Sequence, residues 1–391
     1  MMSYQFLKPY TFENGMTIKN RIVIPPMTEA SSLENGAISN DELAYFRLHT
    51  GGAGMFIAPV ANVTENGKGF EGELSIADDK FLPGLIKLAE TLKHNGTKAI
   101  LQIFHAGRMS NSKILRGNAT VSASAVAALR PNAETPKELS EAEIEHIIAA
   151  FGEATRRAIQ AGFDGIELHG ANTYLMQQFF SPHSNRRTDK WGGSVEKRMN
   201  FALEIIKTVQ KAAEKYATQP FTIGYRISPE EIEEPGIRLA DTLKFIDVLA
   251  KQPINYLHLS MGYAWRTSLN DKSDSEPIVK KVLQQLNGRL PLISVGLVET
   301  PDDAEKLMNA GVDFVAIGRE SLREPQWVQK VIAGQEAAIR YTVAESDFEE
   351  LGINLAFQDF LGLLNADLHI VGSSQSKDEF DKKMGGVEGG V

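Results

Sequence analysis

Apolar runs of strand length recur along this chain, separated by stretches of helix length. The runs are Ile22–Ile24, Met55–Ala58, Ala99–Phe104, Gly165–Leu168, Phe221–Tyr225, Tyr256–Leu259, Leu292–Val295 and Phe314–Ile317, eight in all. Most show little apolar–polar alternation, the mark of strands buried on both faces of a parallel sheet. Between them, apolar residues near helical spacing predict helices over 78–94, 140–161, 194–216, 239–250, 276–286, 300–310 and 324–332. Ser140 and Glu143 form a capping-box match at the start of the second of these. The alternation argues for an α/β fold, a (β/α)8 TIM barrel, over its competitor, an open doubly wound sheet.

Ahead of the first strand, Asn14-Gly15 sits between short apolar segments. That dipeptide favours a tight hairpin turn, so an N-terminal β-hairpin is expected to plug the barrel floor. Two connections are long, 106–139 and 170–193. Both leave the C-terminal face, where barrel active sites sit. The pattern weakens after about residue 335. The expected division is therefore a barrel domain over 1–340 and a partly helical extension over 341–391, ending in a flexible Gly-rich tail.

Composition narrows the chemistry. The chain has 391 residues and no cysteine, which excludes disulfides, thiolate metal sites, iron–sulfur clusters and a cysteine nucleophile. No apolar stretch is long enough to span a membrane, and no secretory signal is visible, so a cytoplasmic location is expected. A net charge of −9 without a sustained basic run disfavours nucleic acid and anionic membranes. A small-molecule partner is expected, and a homo-oligomer is left open.

The strand ends carry the candidate site. His169-Gly170-Ala171-Asn172-Thr173-Tyr174 follows the fourth strand. His169 and Asn172 can polarise a carbonyl oxygen, and Tyr174 can deliver a proton. The bland reading makes His169 a core histidine and Tyr174 packing at the barrel mouth. Gln102 lies inside an apolar strand and must have its amide paired, by a flat heterocycle or by neighbouring protein groups. Arg226 ends the fifth strand; burial there calls for a counter-charge, either Glu167 or an anionic ligand. The seventh and eighth strands end in Gly296 and in Gly318-Arg319, turns suited to a phosphate. Pro26, Met27 and Thr28 end the first strand and can face a flat ligand. His105 lines or braces the pocket, whereas His258 reads as structural. No helical histidine pair suggests a metal.

As an ordered set, these residues resemble the old yellow enzyme family of FMN-dependent ene-reductases. The strongest stretches are His169–Pro182 and Asn185–Ser194, supported by Pro26–Thr28, Gln102–Arg108, Gly224–Ser228 and Gly318-Arg319. The resemblance implies tightly bound, non-covalent FMN at the barrel mouth, with NADH or NADPH as transient reductant. Pro26, Met27 and Thr28 would contact the flavin ring, Gln102 its pyrimidine edge and Arg226 its N1/O2 side. Gly296, Gly318 and Arg319 would bind its phosphate. His169 and Asn172 would hold the substrate carbonyl. An activated alkene would receive hydride from flavin N5 and a proton from Tyr174. The alternatives are an NAD(P)H oxidase passing electrons to oxygen or another acceptor, and a non-catalytic flavin- or phosphate-binding barrel. Pro59-Val60 departs from the family pattern, which often has an acidic and then a small residue there.

Overall fold

The structure, a computed structural model, describes residues 4–362 and 370–371. Eight parallel strands form the barrel: β1 (Ile22–Ile24), β2 (Met55–Asn62), β3 (Lys98–Phe104), β4 (Gly165–Gly170), β5 (Thr222–Ile227), β6 (Tyr256–Leu259), β7 (Leu292–Val295) and β8 (Phe314–Ala316). Each pairs with its neighbours in sequence. The ring closes where Val23 and Ile24 of β1 pair with Met55 and Phe56 of β2, and Val315 of β8 pairs with Ile22. The open doubly wound sheet is thereby excluded.

Two separate cores stabilise the ring. The larger lies between the strands and the surrounding helices. The smaller fills the barrel floor with Val23, Met55, Ile57, Ile100, Ile293 and Phe314, together with Phe12, Met16 and Ile18. The last three come from an antiparallel hairpin that pairs Tyr10 with Ile18 and turns at Asn14-Gly15. Phe12 stacks on Phe314 at 5.3 Å between ring centroids. The expected plug is present, and its apolar side chains do the sealing.

The helices match the expected order: α2 (Leu82–Leu92), α3 (Glu141–Gln160), α5 (Val195–Tyr216), α6 (Leu239–Leu249), α7 (Ile278–Leu286), α8 (Pro301–Asn309) and α10 (Trp327–Ile332). The Ser140–Glu143 capping box forms at the start of α3. Three helices escape the periodicity argument: α1 (Asn40–His49), α4 (Leu175–Phe180) and α9 (Arg319–Arg323). The last two are too short to show a period. α1 buries the mixed set Glu42, Tyr45, Phe46 and His49, so its apolar face is blurred. Its capping box, Ser39 with Glu42, was the signal that could have found it.

β2 runs beyond its expected end because Pro59 does not stop it. Proline cannot donate to a sheet ladder, and the β2–β3 register slips by one residue between Ala58 and Ala61. This bulge re-aims the strand end, and Val60 joins Phe104, Ala106, Phe70 and Tyr174 in a small apolar cluster at the mouth.

Within the partly helical extension expected over 341–391 lies α11 (Leu355–Gly362). Leu351 O lies 2.9 Å from His49 Nε2, and Phe357 packs edge-on against Tyr45. The Gly-rich tail lies outside the described residues. Among the described residues no helix is long and apolar enough to cross a membrane.

Phe12 is 2 % exposed and seals the barrel floor far from the mouth. Phe12→Ala is expected to destabilise the fold by about 3–5 kcal/mol. The urea midpoint measures this; an unchanged midpoint would show that the hairpin is dispensable.

Candidate active site

Residues paired across parallel strands point to the same face of a sheet. Gln102 pairs with Glu167, His169 with Arg226, and Arg226 with His258. These inward-facing polar side chains therefore gather at the C-terminal end of the barrel, above the apolar floor. Gly224 beside them leaves room for Tyr256, whose ring stands 2.0 Å from where a Cβ would be.

The turn after β4 is backbone-strained. Asn172 and Thr173 both adopt left-handed conformations, with φ of 53° and 61°. Non-glycine residues hold such angles only where surrounding bonds over-determine them. Here the two glutamines of α4 supply those bonds. Gln177 Oε1 accepts from Thr173 N–H at 3.1 Å, and Gln178 Nε2 donates to Thr173 O at 2.6 Å. Gln177 is held by Glu231, and Gln178 by Ser122 and the Arg108 N–H.

This turn fixes what each candidate residue can donate. His169 Nδ1 accepts the Ala171 N–H at 3.3 Å, so the ring hydrogen belongs on Nε2. Burial, then the nearby Arg226 charge, holds the imidazole pKa well below its ordinary value. His169 is therefore a neutral Nε2–H donor. Asn172 Oδ1 accepts from Ser260 Oγ at 2.9 Å, and its backbone N–H donates to Ser228 Oγ at 3.0 Å. With its oxygen engaged, Asn172 keeps its amide NH₂ for a ligand.

Tyr174 precedes α4 and packs edge-on against Phe104 at 4.8 Å and His169 at 4.9 Å. Among the described residues its hydroxyl has no hydrogen-bond partner. Burial, with the Glu73 charge second, raises its pKa above the ordinary value; Arg130 and Arg226 oppose. It stays protonated until a strongly basic atom develops beside it.

Arg226 is 8 % exposed, and no protein acceptor lies within bonding distance of its guanidinium among the described residues. Glu167 is instead taken by Gln102 Nε2 at 2.7 Å and His258 Nδ1 at 2.9 Å. Despite burial, His258, Arg226 and Gln102 together hold the Glu167 carboxyl below its ordinary pKa. The alternative that Arg226 is satisfied by an ion pair with Glu167 thus fails on geometry. Gln102 gives one amide N–H to Glu167, which fixes the amide and leaves its oxygen and its second N–H for a ligand.

Gly296 has φ of 131°, and a Cβ there would stand 2.6 Å from the Ala264 nitrogen, so only glycine fits. Gly318 precedes α9, whose first N–H groups have no helical acceptors. Arg319 stands half-buried on that helix. Pro26, Met27 and Thr28 are half-buried beyond β1, and Met27 Sδ approaches Gly318. His105 turns aside: its Nδ1 accepts the Gly107 N–H at 3.0 Å, bracing the loop after β3.

A family model described as "NADH:flavin oxidoreductase / NADH oxidase family" matches residues 5–337. The chain belongs to that family. Its members include the old yellow enzymes, with FMN as cofactor and NADH or NADPH as reductant. Among curated relatives of this oxidoreductase family, "NADH:acrylate oxidoreductase" of Vibrio harveyi is 44% identical over 346 residues, 88% of this chain and 34% of that one. "Probable NADH-dependent flavin oxidoreductase YqiG" of Bacillus subtilis (strain 168) is 42% identical, covering 88% of this chain and 92% of that one. The chain thus spans about a third of the Vibrio harveyi relative and nearly all of the Bacillus subtilis one. The solved old yellow enzyme homologue from Zymomonas mobilis superposes with a TM-score of 0.72 at 21% identity, covering 84% of this chain and 93% of that one. At that identity the likeness shows the shared barrel.

The residues present fit FMN. An unsatisfied buried guanidinium suits the electron-rich pyrimidine side of a flavin, and Gln102 Oε1 suits a ring N–H. Gly296 and the start of α9 suit its phosphate. Sequence reasoning missed the groups that aim the donors: Ser260, Glu167 in its bridging role, and the Gln177–Glu231 brace. None carries a motif of its own; each is placed by strand register.

Ser260→Ala should free the Asn172 amide to rotate and weaken binding of a carbonyl ligand by about 0.5–1.5 kcal/mol, a few-fold in Kd. Titration with cyclohexanone, followed by flavin absorbance, checks this. Because His169 is already neutral, the same Kd should show no inflection near an ordinary histidine pKa of about 6.5. An inflection lost in His169→Ala would contradict the fixed neutral donor.

Proposed function

We propose that this chain is an FMN-dependent NAD(P)H oxidoreductase that reduces the C=C bond of α,β-unsaturated carbonyl compounds. One observation carries the reading: two aimed neutral donors, His169 Nε2–H and the Asn172 amide, share one turn with Tyr174, whose hydroxyl has no hydrogen-bond partner among the described residues. Acrylate and fumarate, in the names of two relatives, are themselves activated alkenes of this kind.

Bound FMN supplies a hydride that originates from NAD(P)H. Arg226 would hold the flavin's N1/O2 side, Gln102 its pyrimidine edge, Pro26, Met27 and Thr28 its ring, and Gly296, Gly318 and Arg319 its phosphate. His169 and Asn172 donate to the substrate carbonyl oxygen and draw electron density from the β-carbon. Both are held before substrate arrives, so little reorganisation is spent at the moment of reaction. Tyr174 protonates the α-carbon; its raised pKa suits it to an enolate-like acceptor rather than to solvent. Neutral His169 donates without competing for that proton.

We further propose that residues 1–340 form the flavin-binding unit, with 341–391 as an appendage, and that the protein acts in the cytoplasm on small molecules. A second reading, electron transfer to oxygen or another carrier, is favoured by one fact: the Vibrio harveyi relative and the 42% identical "NADH:fumarate oxidoreductase" of Klebsiella pneumoniae (strain 342) extend well beyond the matched region, which is 34% and 36% of their lengths.

Tyr174→Phe separates the readings. Alkene reduction should fall by about 10²–10⁴-fold, while reduction of bound flavin by NADH persists. The measurement is anaerobic stopped-flow with 2-cyclohexenone. Equal slowing of both half-reactions would remove Tyr174 as proton donor. Undiminished reoxidation by oxygen alongside inert enones in the native protein would favour the second reading.

A further inference from the structure

Polar side chains face the barrel lumen in two register rows. Gln102, Glu167 and Tyr256 share the lower row, with Gly224 between the last two. His169, Arg226 and His258 form the row nearer the mouth. The rows are two residues apart, about 7 Å along the strands.

Glu167 joins the rows. It is 0% exposed, and its register neighbour on β5 is Gly224, which has no side chain to stand in its way. It therefore reaches across to β6, where His258 Nδ1 lies 2.9 Å from Oε2. Its Oε1 accepts from Gln102 Nε2 at 2.7 Å in the same row. Arg226 lies one row nearer the mouth, without a bond to that carboxylate.

The unpartnered nitrogen of His258 fixes the protonation. Nε2 is buried and has no partner among the described residues. Orphaned buried N–H groups are rarer than orphaned acceptors, so the ring hydrogen belongs on Nδ1, donated to Glu167. The carboxyl is then an ionised acceptor with both oxygens occupied. Burial would raise its pKa, but His258, Arg226 and Gln102 outweigh it and hold the group below its ordinary value. Burial holds His169 and His258 neutral and Tyr256 protonated. The two rows thus carry one positive charge, Arg226, and one negative charge, Glu167.

We propose that Glu167 is a positioning residue that sets the reducing power of the bound flavin. The proposal rests on FMN lying against Gln102 and Arg226, as set out under the proposed function. Reduction breaks one C–H bond of NAD(P)H and carries two electrons and that hydrogen to the flavin. NAD(P)⁺ leaves, and one more negative charge remains at the mouth. Arg226 favours that charge, and with no bonded counter-charge its pull is undiminished by contact. Glu167, one row behind, opposes it through its field. The flavin stays reducible by NAD(P)H yet ready to pass hydride to an alkene. Glu167 also acts through Gln102: by holding one amide N–H, it keeps the same oxygen and second N–H facing the flavin in both redox states.

The test uses FMN-loaded protein and Glu167→Gln, which has the same shape without the charge. Its amide oxygen can still accept from Gln102, and its NH₂ can donate to the other tautomer of His258. The midpoint potential of the flavin, read by absorbance against a reference dye, should rise by about 30 mV, which for two electrons is a tenfold shift toward the reduced form. Anaerobic stopped-flow should show opposite changes: faster flavin reduction by NADH and slower reoxidation by 2-cyclohexenone. Loosened packing alone would admit water around Arg226, screen it and lower the potential. Where Glu167→Gln does not hold flavin, His258→Leu is read in the same way; with one donor gone, burial favours the protonated carboxyl, and the potential should again rise. An unmoved or lowered potential in the flavin-bound variant would overturn the assignment. So would a protonated-carboxyl infrared band of the flavin-free native protein, at neutral pH, that Glu167→Gln removes. Failure of the native chain to bind FMN would instead overturn the functional reading on which the assignment rests.

Discussion

A buried positive charge governs the mouth of this barrel. Arg226 lies on an inward position of β5, with no carboxylate in contact among the described residues and its Nε unsatisfied. Such burial costs several kcal/mol, at order of magnitude, unless a counter-charge is supplied. Glu167, which could supply it, is committed to Gln102 and His258. The cation remains available to an electron-rich ligand, and its field reaches every neighbour. It adds to burial in keeping His169 neutral, helps keep Glu167 ionised, and opposes the burial that raises the Tyr174 hydroxyl. One guanidinium thus biases, alongside burial, the protonation of the groups that surround it.

The barrel makes this arrangement possible by separating its layers. The floor is apolar and sealed by the hairpin, so the polar layer above it has one open side. Four strand ends then contribute: β4 gives His169 and, just beyond it, Asn172 and Tyr174, β5 gives Arg226, β6 gives Ser260 and β7 gives Gly296. Asn172 is held by hydroxyls beyond β5 and β6, so its amide is aimed by neighbours on two sides. The Pro59 bulge performs a related task on β2, turning an apolar wall toward Tyr174 without ending the strand.

The fold was largely legible because eight short apolar runs leave few alternatives to a closed parallel barrel. Most of the helices between them followed from spacing. α1 was missed because Glu42 and His49 occupy its buried face, and polar residues on a core face defeat a periodicity argument. In the site, His169, Asn172 and Tyr174 could be picked out because they lie together in sequence just past a strand. The partners that aim them lie far along the chain; Ser260 is 88 residues from Asn172. Register alone brings such pairs together. The pairing of Glu167 with His258 rather than with Arg226 depends on side-chain distances that no pattern encodes. The division at residue 340 rested on a fading pattern, whereas the helix beyond it packs on α1 through Phe357 and Tyr45.

The left-handed pair Asn172-Thr173 has a thermal consequence. Each strained residue stores on the order of 1–3 kcal/mol, held in place by side-chain bonds from α4 and the ends of β5 and β6. None of those bonds belongs to the barrel ladder itself. On warming, this turn can melt locally while all eight strands stay paired. Heat inactivation would then run ahead of the loss of secondary structure, and brief heating would leave an intact, refoldable barrel whose donors have lost their aim.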